Sequence, residues 1–321
     1  MRWLFLLLAA CGGPDPTGVD PDGPAGSDGP STDGQNPDGP AAVCSLCTSP
    51  GAVENLGTAP NGLVEASGIV ASRVHPGVLY AHNDSGDTAR VFAFTDTGTA
   101  IATLTITGAT HEDWEDIAIG PCPAGSCIYI GDIGDNGTNR PVKTIYRFPE
   151  PDLTGVSGTV TINNVEEFRF SYPVGLDFFH NAETLLVHPI TGTIYVVSKE
   201  DVGDPSVVFK SPATLVEGQT ATFTKLATLP FPSGNQPDIS GGDIDPCGTS
   251  VLLRLGSAKL FLLEPTAGGS FDTAFTPSLP LHELPIAAEA NGEAISWDAT
   301  GSGYFTISEG ANAQLHRIAC P

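Results

Sequence analysis

The feature that most limits what this chain can fold into is a short motif found five times, a small or acidic residue followed by an apolar pair and a turn. The copies are "EASGIVAS" (65–72), "DWEDIAIGP" (113–121), "NAETLLVHP" (181–189), "SGGDIDP" (240–246) and "NGEAISWD" (291–298). Each is followed by an apolar run of β type: "GVLYAHND", "CIYIGDIGD", "TIYVVSKE", "SVLLRLG" and "GYFTISEG". A third run comes next ("RVFAF", "TIYRF", "SVVFK", "KLFLL", "AQLHRI"), and often a fourth ("IATLTIT", "VEEFRF", "ATFTKLATL"). No long stretch carries a helical period of apolar residues, so the chain reads as all-β. Aligned on Ile69, Ile117, Leu185, Ile244 and Ile295, the copies lie roughly 50 to 70 residues apart, the spacing of four-stranded propeller blades. This predicts a β-propeller of five four-stranded blades, with six as the alternative if another blade hides in the long interval before Leu185. The last unit ends at Cys320 after three strands, and "GAVENLGTA" (51–59) is expected to supply its outer strand, closing the ring and removing a bare sheet edge.

The N-terminus has a different character. "MRWLFLLLAACGG" offers one positive charge, an apolar run too short to span a bilayer, and small residues before Cys11. "LAAC" resembles the bacterial lipobox, which implies cleavage after residue 10 and lipidation of Cys11; an ordinary secretion signal with a chance cysteine is the other reading. Gly12 in place of an aspartate resembles the pattern of lipoproteins passed to the outer membrane. From Cys11 to residue 43 the chain is mostly Gly, Pro, Asp, Ser and Thr, a composition that buries too little to fold. The expected organisation is a leader at 1–10, a lipidated tether at 11–43 and a propeller at 44–321, anchored to a bacterial outer membrane on its periplasmic side or at the cell surface.

Charge and cysteines narrow the functions. The whole chain has a formal net charge of −24. Six acids fall in the tether and Arg2 in the leader, leaving the domain 31 acidic against 12 basic residues. Such a surface disfavours nucleic acid and anionic lipid and suits cations. After Cys11 six cysteines remain, an even number that reads as disulfides in an exported chain. Cys122 and Cys127 in "CPAGSC" are expected to pair across a turn. Cys44, Cys47, Cys247 and Cys320 allow three connectivities, and all four fall at the lower face, so bridges joining the chain ends are expected. "CSLC" as a redox or half-zinc motif is the alternative, without a second pair at ligand spacing.

Position within a blade gives the acids a shared direction. Residues just before the innermost strand and just after the second strand meet on one face, around the channel. There lie Glu65, Glu115, Asp116, Glu183, Asp243 and Glu293, and, after the second strands, Asn83, Asp84, Asp132, Asp135, Lys199, Glu200 and Glu309. Carboxylates converging on a narrow mouth repel one another, and a hard cation such as Ca²⁺ relieves this with oxygen ligands. The metal candidates are therefore Glu293, Glu183, Asp243, Glu115, Asp116, Asp84, Asp132 and Asp135; the competing reading is that each acid bonds the backbone of the next blade and locks the ring. Among histidines, His75 and His188 fall in lower turns, whereas His82, His111, His180 and His282 are expected on the acidic face. The loop "THEDWED" concentrates His111, Glu112, Asp113, Trp114, Glu115 and Asp116. His82, His111 and Lys199 are candidate catalytic groups, with no pairing among them readable from sequence.

The segments "SGIVASRVHPGVLYAHNDSGD", "DWEDIAIGP", "YIGDIGDN" and "NGEAISWDATGSGYFTISEG" resemble bacterial propellers described as phytase-like or esterase-like. More distantly, "GEAISWD" is similar to the strand-opening motif of gluconolactonase and paraoxonase propellers. That resemblance implies a divalent metal on Glu293. Phytase propellers also hold phosphate through several Lys and Arg residues, whereas this chain offers only Lys199, Arg254 and Arg140 on the same face. No "GxSxG" nucleophile motif is present. Two functions remain: a monomeric, membrane-anchored lipoprotein that binds a small ligand or protein partner at a calcium-bearing face, or a calcium-dependent hydrolase of esters, lactones or phosphoesters.

Overall fold

A computed structural model describes residues 42, 44, 46–175, 179–200, 204–231 and 239–321. The leader at 1–10, Cys11 and the tether lie outside the described residues, apart from Ala42. Strand β1 (Val53–Thr58) comes first, and blade one follows as β2 (Ala66–Ala71), β3 (Val78–Asn83), β4 (Arg90–Thr95) and β5 (Ala100–Ile106). Blade two is β6 (Trp114–Cys122), β7 (Gly125–Asp132) and β8 (Lys143–Pro149), then, after β9 (Gly158–Ile162), β10 (Glu166–Ser171). Blade three comprises β11 (Asn181–Val187), β12 (Ile194–Lys199) and β13 (Val207–Lys210), then, past β14 (Thr220–Thr222), β15 (Thr224–Thr228). Blade four is β16 (Ile239–Ile244), β17 (Val251–Leu255), β18 (Lys259–Leu263) and β19 (His282–Leu284). Blade five is β20 (Gly292–Trp297), β21 (Gly303–Ser308) and β22 (Gln314–Ala319), with β1 paired antiparallel to β22 as its outer strand. The chain is a five-bladed β-propeller closed by its N-terminal strand. Among the described residues no helix is long and apolar enough to cross a membrane.

The recurrent apolar pair has a direct cause. Side chains alternate across a strand, and both faces of every blade are covered by a neighbouring blade, so adjacent positions must both be apolar. In β2, Ile69 packs with Ala294 and Phe305 of blade five, while Val70 packs with Ile117 and Ile128 of blade two. In β11, Leu185 joins Ala118 and Tyr129 of blade two, and Leu186 joins Ile244 and Val251 of blade four. Leu252 and Ile295 share the core between blades four and five. Each interblade seam is thus its own hydrophobic core.

Among its described residues, the long interval before Leu185 holds no sixth blade. It contains β9, which leaves blade two and pairs in parallel with β5 of blade one as a fifth strand. Val160 and Ile162 of β9 rest against the core between those two blades. "ATFTKLATL" was expected as one strand and is split by Phe223, which is fully buried and stacks on Phe170 at 4.2 Å. That anchor draws β14 onto β10 of blade two in parallel, while β15 stays with β13. In blade four the outer strand is the short β19, and His282, at its start, lies on the face opposite the acids, because outer strands run from the lower face upward.

Closure relies on glycine at one contact. Cβ atoms at Gly57 of β1 and at Gly98 (φ 84°) in the β4–β5 turn would collide with the backbones of Thr97 and Thr58, respectively. Two disulfides complete it: Cys44–Cys247 ties the segment before β1 to blade four, and Cys47–Cys320 ties it to the end of β22. Cys122–Cys127 spans the β6–β7 turn, as its spacing predicts.

Candidate metal centre at the channel mouth

Every inner strand carries a β-bulge near its start. The extra residue is Ser67 in β2, Glu115 in β6, Glu183 in β11, Ser240 in β16 and Glu293 in β20. A bulge kinks the strand and re-aims its extra side chain, so one device repeated five times sets these residues at the same level of the ring. Three of the five are glutamates.

Asp84, following β3, and Asp113, preceding β6, stand beside Glu115. The carboxylates of these three acids offer oxygens that all lie within 4.8 Å of one another. Gly134 lies beneath them; a Cβ there would strike both the Glu115 and the Asp113 carboxylates. The loop that presents Asp113 is held from below. The Asp132 carboxylate accepts the Glu112 and Asp113 amides at 3.3 and 3.2 Å and the Arg140 guanidinium at 2.7 Å, and Trp114 Nε1 donates to the Thr110 carbonyl at 2.8 Å.

The electrostatics of this cluster favour a cation. Burial lifts Glu115 well above the usual carboxylate range, and Glu183, Asp84, Asp113 and Glu293 add to the lift. Burial, then Glu183 and Glu309, push Glu293 up to about 8 although Lys199 opposes them. Asp113 is raised by burial and by Asp84. The donors are all carboxylate oxygens, with no sulfur and no imidazole among them, a set that suits Ca²⁺ and not a structural zinc. Asp84, Asp113 and Glu115 would hold such an ion, with Glu183 and Glu293 in the same field.

Other expected ligands are engaged elsewhere. Asp116 Oδ2 accepts the Leu185 amide of blade three at 2.9 Å, and Asp243 Oδ2 accepts the Trp297 amide of blade five at 2.9 Å. With Ser67 Oγ donating to the Glu115 carbonyl at 2.6 Å and the Ala71 amide donating to Ser296 Oγ at 3.2 Å, these bonds link inner strands across four of the five seams. Alignment on Ile244 had set Asp243 level with the mouth; the bulge at Ser240 places Asp243 three residues further down the strand. Asp135 forms a buried pair with Lys143 at 2.8 Å and accepts the Asn139 and Arg140 amides, closing its own loop. Asp132 holds the Asp113 loop. Replacing Asp116 with alanine leaves the buried Leu185 amide without its partner and is expected to cost about 1–3 kcal/mol of stability, read as a lower Tm, with calcium titration unchanged.

Of the candidate catalytic groups, His82 and His111 meet on one backbone carbonyl, while Lys199 is held by Glu183. His82 is fully buried, and burial lowers its pKa to about 4, so it is neutral at pH 7. His82 Nδ1 and His111 Nε2 lie 2.9 and 3.2 Å from the Asn83 carbonyl, which can only accept, so both nitrogens carry the proton. The two rings flank Trp114, with centroids 5.6 and 4.5 Å from it. Lys199 is paired with Glu183, which holds it above its ordinary pKa against the opposing effect of burial. Sequence reasoning named Asp113 only as part of its loop and missed Gly134; its place in "GDIGDN" reads as an ordinary turn glycine.

No family model matches the chain, and no curated protein matches it. Solved structures are similar in fold. The soluble aldose sugar dehydrogenase of Escherichia coli in its apo-form is 7% identical at a TM-score of 0.47, over 84% of this chain and 99% of that one. U3-55K is 11% identical at 0.40, over 83% and 98%. Raptor of Chaetomium thermophilum is 11% identical at 0.39, and this chain, matched over 80% of its length, spans only 20% of that protein. Likenesses this distant carry no argument about activity. Fold and site define a five-bladed propeller with an acidic channel mouth.

Proposed function

We propose that the protein is an exported, lipid-anchored propeller that holds a calcium ion at its channel mouth and uses that face to bind a ligand or protein partner. The observation that carries this reading is the carboxylate cluster of Asp84, Asp113 and Glu115 over Gly134, at a level that the strand bulges share with Glu183 and Glu293. Anchoring rests on "LAAC" and the tether composition. Binding is favoured over hydrolysis because His82 and His111 both spend a ring proton on one carbonyl and Lys199 is held by Glu183.

A hydrolase reading draws on one feature, a Glu293 pushed up to about 8, within the range of a general base at neutral pH. Glu293→Gln separates the two readings. Under the binding role the variant is expected to bind calcium several-fold more weakly, with no ester, lactone or phosphoester turnover in either protein. Turnover in the wild type that Glu293→Gln loses, with calcium retained, would establish the hydrolase. Absence of calcium binding by the wild type at millimolar concentration would end both.

A further inference from the structure

Among the described residues, cations of the upper face are mostly committed to carboxylates outside the Asp84, Asp113 and Glu115 cluster. Arg90 holds Asp87, Arg140 holds Asp132 and Glu112, Lys143 is buried with Asp135, and Arg254 is buried with Glu289. Lys199 differs in its partner, which is Glu183, one of the bulge glutamates. Beyond it the described residues of blade four offer hydroxyls, and Arg254 there is closed by Glu289. Ser240 Oγ accepts the Gly256 amide at 3.1 Å, Ser257 Oγ accepts the Gly292 amide at 2.8 Å, and no carboxylate of β16 stands at bulge level.

We propose that Lys199 competes with the cation for Glu183, and that calcium, by drawing Glu183 to itself, converts the lysine into a receptor for a singly charged oxyanion of carboxylate type. This rests on the calcium reading above. Without the ion, Lys199 neutralises Glu183 and the mouth repels anions. When the ion engages Glu183, the ammonium loses that partner and stands beside a divalent charge, next to the hydroxyls of Ser240 and Ser257. One released ammonium matches one carboxylate group, whose second oxygen is free to meet the ion. Calcium and the anion must then help each other by the same factor, since coupling between two binding equilibria is reciprocal.

Calorimetric calcium titrations of wild type, Lys199→Met and Lys199→Arg test this, together with NMR titrations of sodium butyrate and its neutral analogue butyramide with and without calcium. Lys199→Met is expected to bind calcium several-fold more tightly than wild type, because a competitor has been removed, and to lose butyrate binding at least tenfold. Lys199→Arg should keep butyrate binding, and butyramide should bind none of the three. Wild-type calcium binding with no calcium-dependent butyrate binding overturns this inference and leaves the calcium reading intact. Unchanged or weaker calcium binding by Lys199→Met, with its melting curve retained, overturns the competition. Failure of the wild type to bind calcium appears in the first titration and overturns the underlying reading itself.

Discussion

Alanine at Gly134 is expected to abolish calcium binding while the propeller stays folded. The backbone there requires no left-handed conformation, so alanine strains nothing locally. Its Cβ would instead occupy the space between the Glu115 and Asp113 carboxylates and force both to swing away. Disturbing groups that merely support metal ligands already costs roughly 10–100-fold in affinity, so displacing two ligands should weaken binding by at least about 100-fold. Calorimetric titration reads the loss, and a melting curve in chelator matching that of the wild type shows that the fold is intact. Wild-type affinity in Gly134→Ala would mean that any bound ion does not sit between Asp113 and Glu115.

Protons should leave the mouth when calcium enters it. Glu293 moves from its ordinary 4.5 to about 8, and burial also lifts Glu115 well above the usual range. A carboxyl whose folded pKa is raised binds more protons in the folded than in the unfolded state between its two pKa values. Its contribution to stability is therefore full below about pH 4.5 and is lost as pH rises toward 8, at up to about 1.4 kcal/mol per pH unit for each group. In chelator, Tm should fall between pH 5 and pH 9; with saturating calcium, which replaces those protons, the fall should vanish. Calcium affinity should rise over the same interval. Titrations in buffers of different ionisation enthalpy should count close to one proton released or more at pH 7, and a count of zero would contradict the protonated mouth.

The blades were legible because burial on both faces writes an apolar pair into every inner strand, and ring closure was legible because a three-stranded last unit needs a partner. Strand exchange was not. The parallel placements of β9 and β14 depend on which neighbouring core accepts Val160 or Phe223, and that choice is tertiary. Glu115, Glu183 and Glu293 could be expected at one mouth from their place before the apolar pair. In blade four two glycines follow Ser240, so the aspartate nearest the isoleucine is not at bulge level, and Asp243 was misaligned. Asp132 and Asp135 look like ligands in sequence because nothing local shows that Arg140 and Lys143, each eight residues on from its partner, return to pair with them.

The two long-range disulfides also define a load path. A pull delivered through the chain ahead of Cys44 reaches blade four through Cys247 and the end of β22 through Cys320 before it reaches any hydrogen bond between β1 and β22. Such a pull on β1 alone would open the ring one bond at a time, like a peeled strip. With sulfur bridges ahead of the strand, tension is carried covalently into two blades at once, and the hydrogen-bonded seam that closes the propeller bears none of it.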